Sequence, residues 1–223
     1  PEGITDIGNW AFKNCSNLKK IIIPETVEVI GKYVFEACTS LEEIVLPENV
    51  YEIGMGLFYN CSSLKSVTLS DRITGINEYT FYNCKNLNNT NIPKSASYID
   101  KMAFYSCNSL RNLELNDSLK TIGNSAFRDC KNLIEISIPD SVISMANDVF
   151  YNCNSLKKVK LSNQLKIIQA NTFYECILLE SIVLPDTVTE IGTNAFANCT
   201  KLTEITIPET TTKIADNAFS YPK

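Results

Sequence analysis

Histidine is absent from this chain. With it go the commonest general base, the usual partner in a nucleophilic triad and the usual imidazole metal ligand. Clustered positive charge is missing too: 20 Lys and Arg stand against 25 Asp and Glu, a net charge of −5. Nucleic acid and anionic membranes both require a basic patch, so neither is expected as a partner. No apolar run approaches the ~18 residues of a membrane span, so this segment is not expected to insert. Glycine and proline are sparse, eight of each, and none of them builds a phosphate-cradling loop. Without paired-carboxylate or metal-ligand motifs either, the reading is of a protein that is not an enzyme and carries no cofactor. The opening Pro1-Glu2-Gly3-Ile4-Thr5-Asp6 has no basic stretch and no apolar core, so it is not a signal peptide. A leader already removed and a segment excised from a longer protein both fit that start.

What the chain does have is repetition. Cysteine stands at 15, 38, 61, 84, 107, 130, 153, 176 and 199, always 23 apart, and nowhere else. Phenylalanine keeps the same step at 12, 35, 58, 81, 104, 127, 150, 173, 196 and 219, and leucine at 18, 41, 64, 87, 110, 133, 156, 179 and 202. One unit reads Pro-x-x-Val-x-x-Ile-Gly-x-x-Ala-Phe-x-Asn-Cys-x-x-Leu-x-x-Ile-x-Ile. Nine full units run from 1–23 to 185–207, a partial tenth covers 208–223, and no linker interrupts them. The expectation is one repeat array over 1–223.

Within a unit, Leu-x-x-Ile-x-Ile ends in period-2 alternation, which predicts a short strand with one face buried. The proline that follows, as at 24, 47 and 93, has no N–H to continue a ladder. Further on, runs such as Asn124-Ser125-Ala126-Phe127-Arg128-Asp129-Cys130 place polar capping types before Ala-Phe and set Phe and Cys three apart. That spacing predicts a short helical turn opposite the strand. A single unit cannot bury its apolar side alone. Stacking units in parallel at ~4.8 Å turns each column into a ladder and gives a spine of roughly 43 Å.

The unit Leu-x-x-Ile-x-Ile-Pro…Ile-Gly-x-x-Ala-Phe-x-Asn-Cys-x-x-Leu resembles the BspA-like, or Treponema pallidum type, leucine-rich repeats over essentially all 223 residues. It lacks the asparagine ladder of commoner leucine-rich repeats, carrying Thr26, Asn49, Arg72, Ser95 and Ser118 in its place. The resemblance implies an α/β repeat solenoid: a right-handed superhelix with parallel strands on the concave face and short helical turns opposite. It also implies a cell-surface or secreted protein that adheres to host proteins or other cells. Departures are few: Thr90 in an apolar column, Met145-Ala146 in place of Ile-Gly, and Tyr221-Pro222 where the cysteine column would continue. No polar capping unit marks either end, so the array is expected to be part of a longer chain.

The nine cysteines read as buried, unpaired packing groups: one per repeat in parallel register suits neither a metal site nor disulfides. Two surfaces are candidates for binding. The column after Phe holds Tyr59, Tyr82, Tyr105, Arg128, Tyr151 and Tyr174. Such a stripe suits contact with a protein or a glycan, or else simply covers the Phe ladder. The outward strand positions change along the array: Asn88, Asn89 and Asn91 cluster, then Arg111, then a basic group of Lys157, Lys158 and Lys160. An ordinary solvated sheet would also show mixed charge, and asparagines weaken a strand. Sequons at Asn14, Asn60, Asn88, Asn116 and Asn198 mostly follow from the repeat consensus itself. The functional expectation is a non-enzymatic, adhesin-like interaction protein that binds a host or bacterial surface protein or glycan. The alternative is a structural spacer within a larger surface protein.

Overall fold

The computed structural model describes residues 3–220, so the Tyr221-Pro222 departure lies outside the described residues. The chain is a solenoid of parallel strands in which most repeats contribute two short strands and a run of tight turns. The front strands are β3 (Glu43–Val45), β5 (Ser66–Thr68), β6 (Asn89–Thr90), β9 (Glu135–Ser137), β11 (Lys158–Lys160), β13 (Ser181–Val183) and β15 (Glu204–Thr206). The side strands are β1 (Asp6–Ile7), β2 (Val29–Ile30), β4 (Glu52–Ile53), β7 (Tyr98–Ile99) and β8 (Thr121–Ile122). They continue as β10 (Ser144–Met145), β12 (Ile167–Ile168), β14 (Glu190–Ile191) and β16 (Lys213–Ile214). All pairings are parallel with the register of the repeat: Lys158 lies opposite Glu135 and Ile205 opposite Ile182. The alternation of Leu-x-x-Ile-x-Ile turns one residue in two toward the core, as Ile44, Val67, Ile136 and Ile182 show.

The expected helical turns do not form. Among the described residues there is no helix, and the third side of each repeat is a chain of β-turns. The backbone explains why. Two residues per repeat, two before and two after each Phe, lie in the left-handed region, for example Trp10 (φ 59°) and Asn14 (φ 60°), or Asp148 (φ 60°) and Asn152 (φ 58°). A right-handed helix cannot pass through them. Turn bonds close locally instead, Lys13 N–H to the Trp10 carbonyl at 3.0 Å and Cys15 N–H to the Phe12 carbonyl at 3.1 Å. The intervening N–H groups point at the next repeat. Trp10 N–H donates to the Lys32 carbonyl, Phe12 to Val34 and Asn14 to Glu36, at 2.8–2.9 Å, and the same three columns recur down the array. Inter-repeat bonds therefore replace the i→i−4 bonds that a helix would need. The consensus asparagine before Cys fits this geometry, because Asn tolerates the left-handed region better than most residues.

Behind the turns runs the core. Ten Phe rings stack along the array with centroids 5.0–5.6 Å apart, and those from Phe35 to Phe196 are buried. The front strands are the face that the family resemblance implies to be concave. Each thiol from Cys38 onward donates to the Phe carbonyl of the repeat before it, as Cys61 Sγ does to Phe35 O at 2.9 Å and Cys107 Sγ to Phe81 O at 3.2 Å. That carbonyl already accepts the amide of its own repeat's Cys, so the S–H fills its second lone pair. Cys15 departs from the expectation of uniform burial. It lies in the first repeat and is exposed.

The ladders are not continuous. The front sheet runs β3-β5-β6, then β9-β11, then β13-β15, and residues 111–116 form no strand. The first break follows β6. Beside it, Asn91 turns its amide onto the backbone of Leu69 in the preceding repeat, accepting from its N–H at 2.8 Å and donating to its carbonyl at 3.0 Å. Thr90, beside it, buries a hydroxyl with no partner.

Candidate functional surfaces

The twelve residues singled out by sequence fall on two faces. On the concave face, Arg111, Lys157, Lys158 and Lys160 are exposed. Lys158 and Lys160 reach the same side of β11 and border a groove of about 770 Å³, opened where residues 112–115 leave the ladder. Glu114, Glu135 and Asp140 line its other walls. Several lysines elsewhere form ion pairs one repeat away: Lys20 with Glu43, Lys65 with Glu42, Lys94 with Asp71, Lys213 with Glu190. In two of these the lysine holds the carboxyl below its usual range, Glu42 through the Lys65 hydrogen bond and Asp71 through that of Lys94. Among the described residues, Arg111, Lys157, Lys158 and Lys160 have no such partner, so their charge remains available. Asn88 and Asn89 stay exposed on the far side of the break, with Asn89 Nδ2 donating to Ser66 Oγ at 3.1 Å. Asn91 is half-buried and committed to the backbone, so its amide serves the fold.

The tyrosine column stands on the turn side. Tyr59, Tyr82 and Tyr105 stack face to face at 4.7 and 4.8 Å, and Tyr151 and Tyr174 at 4.6 Å. The Arg128 guanidinium lies 3.9 Å from the Tyr151 centroid and between the carboxylates of Asp129 and Asp148, so it extends the second stack. All five tyrosines are half-buried. Burial raises the phenol pKa of Tyr59, Tyr105 and Tyr151, which keeps those hydroxyls neutral and able to donate at ordinary pH.

A second aromatic column escaped the sequence reading. It lies two residues before each Phe and holds Trp10, Tyr33, Gly56, Tyr79 and Met102. Tyr33 and Tyr79 meet Tyr59 edge-on, with centroids 6.0 and 6.1 Å away and planes 71° and 80° apart. Together with Tyr82, Lys13 and Glu36 they line a bay of about 590 Å³. The signal was present as a glycine in a column that otherwise carries side chains. Among the described residues no cluster of His, Cys, Asp or Glu could hold a metal ion, and no helix is long and apolar enough to cross a membrane.

Comparison with known proteins agrees with this geometry. Among curated protein sequences nothing matches. Of the solved structures, a leucine-rich repeat protein of Bacteroides ovatus is 29% identical, with 96% of this chain and 73% of that one covered at a TM-score of 0.65. A leucine rich cell surface protein of Faecalibacterium prausnitzii is 26% identical over 97% of this chain and 74% of its own, at 0.50. The Treponema pallidum leucine-rich repeat protein, 24% identical over 86% and 91% of the two chains, shares the fold at 0.70. The model of the BspA type leucine rich repeat region matches residues 1–111 and 98–223. With its period, its Phe and Cys columns and that match in agreement, this chain belongs to the BspA-type leucine-rich repeat family.

Proposed function

We propose that this array is a non-enzymatic interaction module of a cell-surface or secreted protein, binding its partner through the concave strand face. One observation carries the reading: Lys158 and Lys160 border the groove on the strand face, and among the described residues none of Arg111, Lys157, Lys158 and Lys160 forms an ion pair. Cations held on a rigid sheet cost little entropy to engage and suit an acidic stretch of a protein partner. The Faecalibacterium prausnitzii relative is a cell surface protein, which supports the location. A spacer role is the second reading. It draws on the Phe stack and the three turn-side hydrogen-bond columns, which would make a stiff rod.

The test is binding of the full chain to immobilised host-matrix and bacterial surface proteins. Saturable binding is expected, weakened about tenfold or more when Arg111, Lys157, Lys158 and Lys160 are together changed to Glu. Folded protein that captures nothing, or whose capture survives those changes, would favour the spacer.

A further inference from the structure

The tyrosine bay differs from every other stretch of the turn face, and the difference begins at Gly56. Nine equivalent positions, from Trp10 through Asn217, adopt the same left-handed conformation with a side chain in place. Left-handed backbone alone therefore does not demand glycine here. What Gly56 supplies is room: a Cβ on it would sit 2.2 Å from Cε1 and 2.3 Å from Cδ1 of Tyr33. The Tyr33 ring thus occupies the space of that missing Cβ, against the backbone of the next repeat. Tyr59 stands edge-to-face to it, Tyr79 stands edge-to-face to Tyr59 and Tyr82, and Tyr82 stacks on Tyr59 at 4.7 Å. The result is an aromatic surface with rings in two orientations and phenol rims.

The charge around the bay selects its occupant. Glu36 is paired with Lys13 at 3.0 Å, and Glu78 with Lys101 at 3.8 Å, while Lys101 also caps the Tyr79 ring 5.7 Å from its centroid. Neither an anion nor a cation finds uncompensated charge there. An uncharged ligand with one flat C–H face and a rim of hydroxyls finds both a stacking surface and hydrogen-bond partners. A pyranose ring has that shape. The bay also extends from Trp10 to Met102, four repeats of 5.0–5.6 Å each, which exceeds one sugar and suits a chain of them.

We infer that the Tyr33–Gly56–Tyr59–Tyr79 bay is a binding site for a neutral oligosaccharide or polysaccharide, separate from the concave protein-binding face. The inference rests on the interaction-module reading but uses different residues, so the two can fail independently. Trp10 is the sole tryptophan of the chain, half-exposed on the bay's edge, and so reports on occupancy.

The experiment titrates the full chain with a β-1,3-glucan, an α-1,4-glucan, a mannan and a galactan, following Trp10 emission and mobility in polysaccharide-containing native gels. At least one polysaccharide should blue-shift Trp10 and retard the protein. Tyr33→Ala should weaken that affinity about tenfold. Gly56→Ala, which keeps every tyrosine but pushes the Tyr33 ring off its seat, should act in the same direction. Tyr174→Ala, in the second stack, and the concave charge reversals should leave it unchanged. If none of the four polysaccharides moves Trp10 or retards the folded chain, the inference is wrong, even where protein capture by the concave face persists. It is equally wrong if a polysaccharide binds and Tyr33→Ala and Gly56→Ala leave the affinity intact.

Discussion

At the scale of single residues, the glycine that follows most side strands is a spacing device. A Cβ on Gly31, Gly54, Gly123 or Gly192 would stand 2.4–2.7 Å from atoms of the preceding repeat, most of them backbone, whereas a Cβ on Gly8 would meet nothing within 4 Å. Chain conformation is not the reason, since none of these five has a positive φ. The bond made by the column explains the closeness: Gly54 N–H reaches the Ile30 carbonyl at 2.8 Å and Gly123 N–H that of Ile99 at 2.7 Å. Ala146 and Ala215 keep the same bond at 2.9 and 2.8 Å, so one methyl is tolerated once the neighbours shift. Gly54→Ala should therefore cost about 1–3 kcal/mol as a local overpacking. Gly8→Ala should stay within about 0.5 kcal/mol. Urea unfolding of the two variants compares them directly, and equal midpoints would show that the column does not set the spacing.

At the scale of elements, the side ladder stops where that column carries an amide side chain, at Asn77 and at Gln169, whereas Asp100 keeps the bond, its N–H reaching the Ile76 carbonyl at 2.8 Å. Asn77 offers its side-chain amide to the Ile53 carbonyl at 2.5 Å in place of its backbone N–H. β10 and β12, on either side of the Gln169 boundary, do not pair, while β12 pairs onward with β14. The front sheet is interrupted at that boundary too, between β11 and β13. Only the turn-side bonds, such as Phe150 N–H to the Thr172 carbonyl at 2.9 Å, cross it among the backbone bonds. Replacing Gln169 by Gly should let β12 close onto β10, and amide hydrogen exchange at position 169 should slow by an order of magnitude or more. Unchanged exchange there would place the cause of the break elsewhere.

That pattern also shows how much was legible beforehand. The Phe, Cys and Leu columns and the front strands followed from period and alternation, because burial in a stacked array forces the same residue type into every rung. The turns were misread because Phe and Cys three apart look alike in a helix and in successive β-turns. Only the conformational preference of the consensus Asn distinguishes the two, and that signal is weak. The bay was missed for a different reason, since only the glycine of its column marks it in the sequence. It depends on a ring from one repeat occupying the space of a missing Cβ in the next, a relation across 23 residues that no local spacing encodes.

At the scale of the whole molecule, the cysteine column ties stability to alkaline pH. Eight of the nine thiols are buried. Burial is the largest cause of their raised pKa values, from an ordinary 9.0 to about 11 for Cys38 and about 12 for Cys199, with the thiols between them also raised. The folded chain thus binds these protons more tightly than the unfolded one does. Below the unfolded thiol pKa both states are protonated and the fold is at full strength. As pH rises past about 9, the unfolded chain ionises first, and each buried thiol withdraws about 1.4 kcal/mol of stability per pH unit until its folded pKa is reached. Eight thiols share this linkage, so the losses accumulate along the array. Repeats depend on their neighbours, so the loss should appear as a cooperative collapse between about pH 9 and 11. Circular dichroism and thiolate absorbance should change together over that interval. Changing Cys61, Cys84, Cys107 and Cys130 to Ala should broaden the transition and move it to higher pH relative to neutral-pH stability. Thiolates that form gradually at their ordinary pKa while the strands persist would mean that the column is open to water, and that the bonds to the Phe carbonyls do not hold it shut.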